Sequence, residues 1–227
     1  AERARAEYAL SRLDGVLPTA ALLKSRPDHG AVVQQALAGR PLDRDHAVRG
    51  AGGAAGILQK LHHSALVDLD DLRPPSLLAT VDRPAALASF AVPELSERIR
   101  ALIDQLAATM PDVADVVPVH GDFNVGQLLV DGDRTWVVDV DTLSEGSPSV
   151  DLAAYAANLH NGRPADDDDM WAALAGLGEA YGQSPPDLTW HLAATMLRRV
   201  DRPIRRLKKR WPQRTEAIVS AIERVLR

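Results

Sequence analysis

Cysteine is absent from the 227 residues, so disulfide frameworks, thiolate-held zinc and cysteine nucleophiles are excluded together. No apolar run approaches the roughly 18 residues that a membrane helix needs, and no apolar signal-peptide core stands at the start. The expected setting is therefore the cytoplasm, without membrane attachment. Positive charge is not in surplus either. A net charge of -5 and a pI near 5.8 give no electrostatic reason to expect nucleic acid. What remains is an average globular composition, 46% hydrophobic and 25% charged, which argues for a folded domain, or a domain with part of another.

Hydrophobic period and turn residues divide the chain. Residues 1–13 read as a helix with Ala6, Ala9, Leu10 and Leu13 on one side. Extended stretches are expected at 19–23 and 31–37, separated by a polar turn at 25–30. A helical period covers 43–63, a proline-containing connection 67–84, and an amphipathic helix 94–110. The centre is β-like: a β-branched stretch at 113–119, then apolar runs 128–130 and 136–138 flanking Asp131-Gly132-Asp133, a strong hairpin signal. Helices are expected at 149–159, 168–181, 187–200 and 215–226, with Asp166–Asp169 at a helix N-terminus. Basic residues gather at 198–199 and 202–210. A solvated helical face is the preferred reading, and a patch for phosphate or an anionic partner the alternative.

Three groups carry candidate chemistry: Asp122, Gln127 and Asp139. A strand ending at Val119 delivers His120-Gly121-Asp122 into a loop, and the hairpin returns Asp139 beside it. Two carboxylates and an amide oxygen converge on one rim. Phosphoryl transfer asks for little more than magnesium on the nucleotide phosphates and a carboxylate for the hydroxyl proton.

The segment His120-Gly-Asp-Phe-Asn-Val-Gly-Gln127 resembles the H-G-D-x-x-x-x-N loop of the aminoglycoside-phosphotransferase and choline-kinase superfamily, a relative of the protein-kinase H-R-D loop. Val137-Val-Asp-Val-Asp-Thr142 is similar to its metal-binding motif, and Glu145-Gly-Ser-Pro-Ser-Val-Asp-Leu-Ala153 to the G-D-P-x-x-D-L-A segment that follows. The resemblance implies an α+β, protein-kinase-like fold: a partial N-lobe of helix and strands at 1–38, then a mainly helical C-lobe at 39–227 with a catalytic hairpin. It implies ATP and Mg2+ as cofactors, Asp122 as base, and Asp139 with Gln127 on the metal. Gln127 replaces the usual asparagine, so adjusted metal geometry is expected. His120 and Asp151 would support the loop, and Glu7 would pair with an ATP-binding lysine. Backbone groups of Gln35, Ala36 and Leu37 would meet adenine, and Asp141 would border the acceptor cleft or cap a turn. Ser147 stands where aspartate is frequent before the proline, which touches only a local turn.

A glycine-rich loop and a strand-borne lysine do not precede Ala1. The expectation is a longer natural protein, the alternative a degenerate relative without turnover. The glycines at 50–56 imitate a dinucleotide fingerprint, but a polar segment rather than an apolar strand precedes them, so a close-packed helix is the better reading. His62 and His63, adjacent on a helix, point about 100° apart and read as a helix-end pair. Trp136, Trp171, Trp190 and Trp211, with His160 and His191, read as packing residues. The function expected is ATP-dependent phosphorylation of a small-molecule hydroxyl, for an aminoglycoside or other antibiotic, a sugar or an amino alcohol. The alternatives are a pseudokinase-like binding module and, more weakly, a metal-dependent hydrolase, which lacks the usual histidine ligands.

Overall fold

The computed structural model describes residues 2–26, 29, 31–66, 76–112 and 115–227, with side chains from residue 7 onward. The first residue of the first helix, most of the polar turn after Arg26, the first half of the 67–84 connection and Val113 lie outside the described residues.

Helix α1 (Glu2–Leu13) buries Ala9, Leu10 and Leu13. Strands β1 (Leu22–Arg26) and β2 (Ala31–Gln34) form an antiparallel hairpin. The first strand begins later than its apolar run suggests and takes in Ser25 and Arg26, which were expected in a turn. The cause is pairing: Ser25 sits opposite Val32, and its hydroxyl donates to Glu7 Oε2 at 2.6 Å. Thr19 instead bridges in parallel to Val137, whose N–H donates to Pro18 O at 2.8 Å. The N-terminal segment thus grips the exit of the central hairpin.

Strand β3 (Arg40–Pro41) leads into α2 (Arg44–Arg49) and α3 (Ala51–His62). The period over 43–63 suggested one helix. Gly50 divides it, because any Cβ there would stand 2.7 Å from His46 O. Helix α4 (Asp82–Ala91) begins inside the expected connection and runs seven residues beyond it. Its Pro84 falls in the first helical turn, where a missing N–H is harmless, and Ala85 and Ala88 anchor it in the core. Helix α5 (Ser96–Ala108) buries Ile99, Leu102 and Leu106.

Strand β4 (Val117–Val119) precedes the hairpin of β5 (Leu128–Asp131) and β6 (Arg134–Val137), with Gly132 at φ 58° in the expected turn. Strand β3 pairs with β5 outside the hairpin, and β4 pairs with β7 (Ser144–Gly146). The rest is helical: α6 (Ser149–Leu159), α7 (Asp166–Tyr181), α8 (Leu188–Leu197), α9 (Arg202–Arg205) and α10 (Trp211–Val225). Helix α6 packs on α7 and α8, and α3 packs on α7. The aspartates at 166–169 do open α7. Trp190 is core and donates Nε1–H to Leu106 O at 2.9 Å, but Trp171 is 43% exposed and fills no core position. Among the described residues, no helix is long and apolar enough to cross a membrane.

Candidate active site

Strand β4 ends at a loop whose backbone is fastened before any side chain reaches the cleft. Asp151, fully buried in the first turn of α6, accepts from the His120 N–H at 2.8 Å and the Gly121 N–H at 2.9 Å, one on each oxygen. His62 Nε2 lies 3.1 Å from the Asp151 carboxylate and its Nδ1 lies 2.8 Å from Tyr181 Oη. A carboxylate only accepts, so Nε2 carries a proton toward Asp151. Burial would raise the Asp151 pKa, but the His62 hydrogen bond and the surrounding donors outweigh it and hold the carboxyl below the usual range. Burial, and then the Asp151 charge, push the Tyr181 phenol up to about 12.

Gly121 adopts φ 85°, and a Cβ on it would meet Thr142 O at 2.5 Å. Glycine is therefore required where the loop crosses the segment after the hairpin. Thr142 Oγ1 donates to His120 O at 2.7 Å, and His120 Nε2 reaches Val138 O at 3.1 Å. These contacts lock the Asp122 loop to the strand exit that carries Asp139.

Asp122 is 38% exposed, and its Oδ1 lies 3.3 Å from Arg198 Nη2. Asn124 steadies the loop from within, donating to Asp122 O at 2.8 Å and accepting from the Gly126 N–H at 3.0 Å. Asp139 is exposed and left-handed, at φ 61° and ψ 50°. A non-glycine residue held there stores about 1–3 kcal/mol of strain, a frequent property of functional positions. Gln127 Nε2 donates to Asp139 Oδ2 at 2.6 Å. Asp139 and Asp141 border a cavity of about 120 Å³ closed on its other side by Leu10, Ala20 and Gln34. An exposed carboxylate with a neighbouring amide oxygen is an all-oxygen donor set of the kind magnesium takes with phosphates and water. Among the described residues, three or more His, Asp and Glu side chains nowhere gather as a metal cage.

Gln127 meets Asp139, while Asp151 and His120 fasten the loop that carries Asp122. Glu7 and the 35–37 segment lie on the strand side of the molecule. Glu7 holds Ser25, and the Gln35 N–H is committed to Ala21 O at 2.9 Å, while Ala36 is exposed in irregular backbone and Leu37 half-buried. Sequence reasoning missed His62, which is a loop brace rather than a mere helix end, and also Tyr181, Asn124 and Arg198. The Asn-x-Gly spacing at 124–126 is the one signal that could have exposed a local cap.

With this geometry in place, likeness to known proteins becomes informative. Residues 1–191 match the phosphotransferase enzyme family. The chain belongs to that family. Its fold is similar to a choline/ethanolamine kinase family protein from Mesorhizobium loti, at 17% identity over 98% of this chain and 78% of the other, with a TM-score of 0.67. A choline kinase from Streptococcus pneumoniae gives 15%, 98%, 80% and 0.68, and its structure is also known with AMP. A macrolide 2'-phosphotransferase from Brachybacterium faecium gives 21%, 97%, 79% and 0.55. No curated sequence matches the chain significantly. The family is one of phosphotransferase enzymes, and the fold is the kinase-like one: a small strand lobe ahead of a helical lobe with a central hairpin.

Proposed function

We propose that this phosphotransferase moves the γ-phosphoryl group of ATP to a hydroxyl on a small molecule, with Asp122 as the base. The observation that carries the reading is the meeting of the two ends of the hairpin: Gln127, on the loop that also presents Asp122, bonded to a strained Asp139 at 2.6 Å. In the reaction, the acceptor oxygen forms a bond to the γ-phosphorus, and the bond from that phosphorus to the β–γ bridging oxygen breaks. ADP leaves with the electron pair, and the hydroxyl proton passes to Asp122. The Asp122 carboxylate also orients the hydroxyl, and Asn124 and Arg198 keep that carboxylate from turning away.

Asp139 and Gln127 would hold magnesium, which when bound neutralises charge on the phosphate oxygens. The Gln127 amide, which now offers its N–H to Asp139, must turn its oxygen inward to join the same ion. Ala36 and Leu37 are the backbone positions left for adenine, since the Gln35 N–H is engaged. Glu7 would exchange Ser25 for a cation beside the phosphates. The AMP complex of the pneumococcal kinase supports nucleotide use in this fold. Choline, ethanolamine and macrolide kinases among the similar structures support a small-molecule acceptor.

The test is ADP release by the full-length protein with Mg2+ and ATP across antibiotics, sugars, amino alcohols and hydroxy acids. Acceptor-dependent ADP from at least one class is expected. Magnesium-dependent nucleotide binding without ADP from any class would instead indicate a binding module.

A further inference from the structure

Arg205, Arg206, Lys208, Lys209 and Arg210 are exposed, the solvated face that their spacing suggested, but Arg198, Arg199 and Arg202 are drawn partly inward. Arg198, the C-terminal cap of α8, lies 3.3 Å from Asp122. Arg199 and Arg202 are partly buried and line a crevice with His160, Asn161 and Arg206. The Arg202 Nη1 atom is buried and has no hydrogen-bond partner among the described residues. Neighbouring acids are engaged elsewhere: Asp201 Oδ2 accepts from Arg205 at 2.7 Å, although its buried Oδ1 has no donor among the described residues, and Asp167 is held by His160 and Arg224.

Burial first, and then the Arg202 cation, push the Arg199 guanidinium down to about 9; burial and then Arg206 lower Arg202. Both remain cations at neutral pH, and the carboxylate that both feel is Asp122. Helix dipoles explain part of this. Arg198 and Arg199 follow the C-terminus of α8, where cations are favoured, but Arg202 opens α9, where a cation is disfavoured. Positive charge has been gathered beside Asp122, and among the described residues neither Arg199 nor Arg202 forms a direct salt bridge with a carboxylate. A cationic acceptor such as choline would be repelled there.

We propose that the acceptor of this enzyme carries an anionic group, a carboxylate or a phosphate monoester, that docks on Arg199 and Arg202 while its hydroxyl faces Asp122. The planar guanidinium fork pairs with either anion through two parallel hydrogen bonds, which fixes orientation as well as charge. The proposal rests on the kinase reading and narrows it.

Matched acceptors separate the two. D-gluconate and D-glucose 6-phosphate would be assayed beside D-glucose, D-glucosamine and choline, within a wider panel of hydroxy acids and phosphate esters. An anionic acceptor is expected to exceed every neutral and cationic one by at least about tenfold in kcat/KM. The carboxylate and phosphate arms tell which anion fits. Arg199→Gln with Arg202→Gln should raise KM for that acceptor about tenfold or more, with kcat and KM for ATP changed by less than about threefold. Lysine at both positions should recover part of the loss. A best acceptor that is neutral or cationic overturns the proposal, as does an equal loss for all acceptors in the glutamine variant. If no acceptor yields ADP, the kinase reading fails by itself, and the anion site is judged by inorganic phosphate. Phosphate should raise the Tm of the wild type and not of the double glutamine variant, with circular dichroism as the folding control. An equal rise in both proteins would dismiss the site.

Discussion

At the scale of single residues, Asp122, Asp139 and Gln127 divide the proposed work and should fail differently. Asp122→Asn keeps a side chain of the same shape that Arg198 and Asn124 can still touch, but loses the acceptor for a proton. Its kcat should fall about 10²–10⁴-fold, with Tm and nucleotide affinity nearly unchanged. Turnover within a few fold of wild type would remove Asp122 from the mechanism. Asp139→Gly relieves the left-handed backbone while adding chain entropy to the unfolded state, so stability should stay within about 1 kcal/mol. The same change should abolish the magnesium dependence of ATP binding, measured by titrating ATP with and without the metal. Gln127→Asn should retain substantial activity at a shorter reach, and Gln127→Leu, which has bulk but no oxygen, far less; equal kcat in the two would separate Gln127 from the metal. These three positions were legible because a motif announces them. The left-handed state of Asp139 was not, since aspartate adopts both ordinary and left-handed backbone, and only the fold selects between them.

Elements decide how firmly the loop is held. Asp151 belongs to α6 and His62 to the end of α3, so two helices meet at one carboxylate beneath the loop that carries Asp122. Asp151→Asn exchanges three charge-assisted bonds, from the His120 and Gly121 N–H groups and from His62 Nε2, for neutral ones and sets an amide NH2 against N–H donors. It should cost about 2–4 kcal/mol in denaturant unfolding and lower kcat as the loop loosens. A variant as stable as wild type would mean that the brace is ornamental. Asp151 was readable from its Asp-Leu-Ala context, whereas His62 was not, because its partners lie 89 and 119 residues away and only tertiary packing unites them. Helix α6 was read to its true ends since Pro148 starts it sharply. Helix α4 escaped because Pro84 reads as loop until its place in a first turn is known.

For the whole molecule, pH is the simplest probe. Burial lowers the pKa of His160 and of His191, in each case against a neighbouring aspartate that pulls the other way. A depressed folded pKa means that protons bind the unfolded chain first. Both histidines therefore contribute stability above the ordinary histidine pKa near 6.5, and it is lost as pH falls below that value. Asp151, also lowered, adds a second loss below the ordinary aspartate pKa near 4. The Tm should decline from about pH 7 to pH 5, and then more steeply toward pH 3. A flat profile between pH 7 and 5 would show that the two histidines bind protons equally in the folded and unfolded states. The two-lobe outline was legible in the order of strand-like and helical segments. The inward turn of Arg199 and Arg202 was not, because spacing alone cannot tell which arginines of a mostly solvated cluster turn toward a crevice.

The left-handed backbone of Asp139 also has a genetic consequence. Asparagine and glycine are the residues that best tolerate that conformation, and each is one base change away from an aspartate codon. The mutations that fold most readily at this position are thus the ones that remove its carboxylate. With Asp139 in the proposed metal-holding role, a lineage of this protein could lose phosphoryl transfer in a single step and still express a sound scaffold. Descendants without turnover should accordingly carry their mark first at residue 139, well before the buried brace beneath the loop decays.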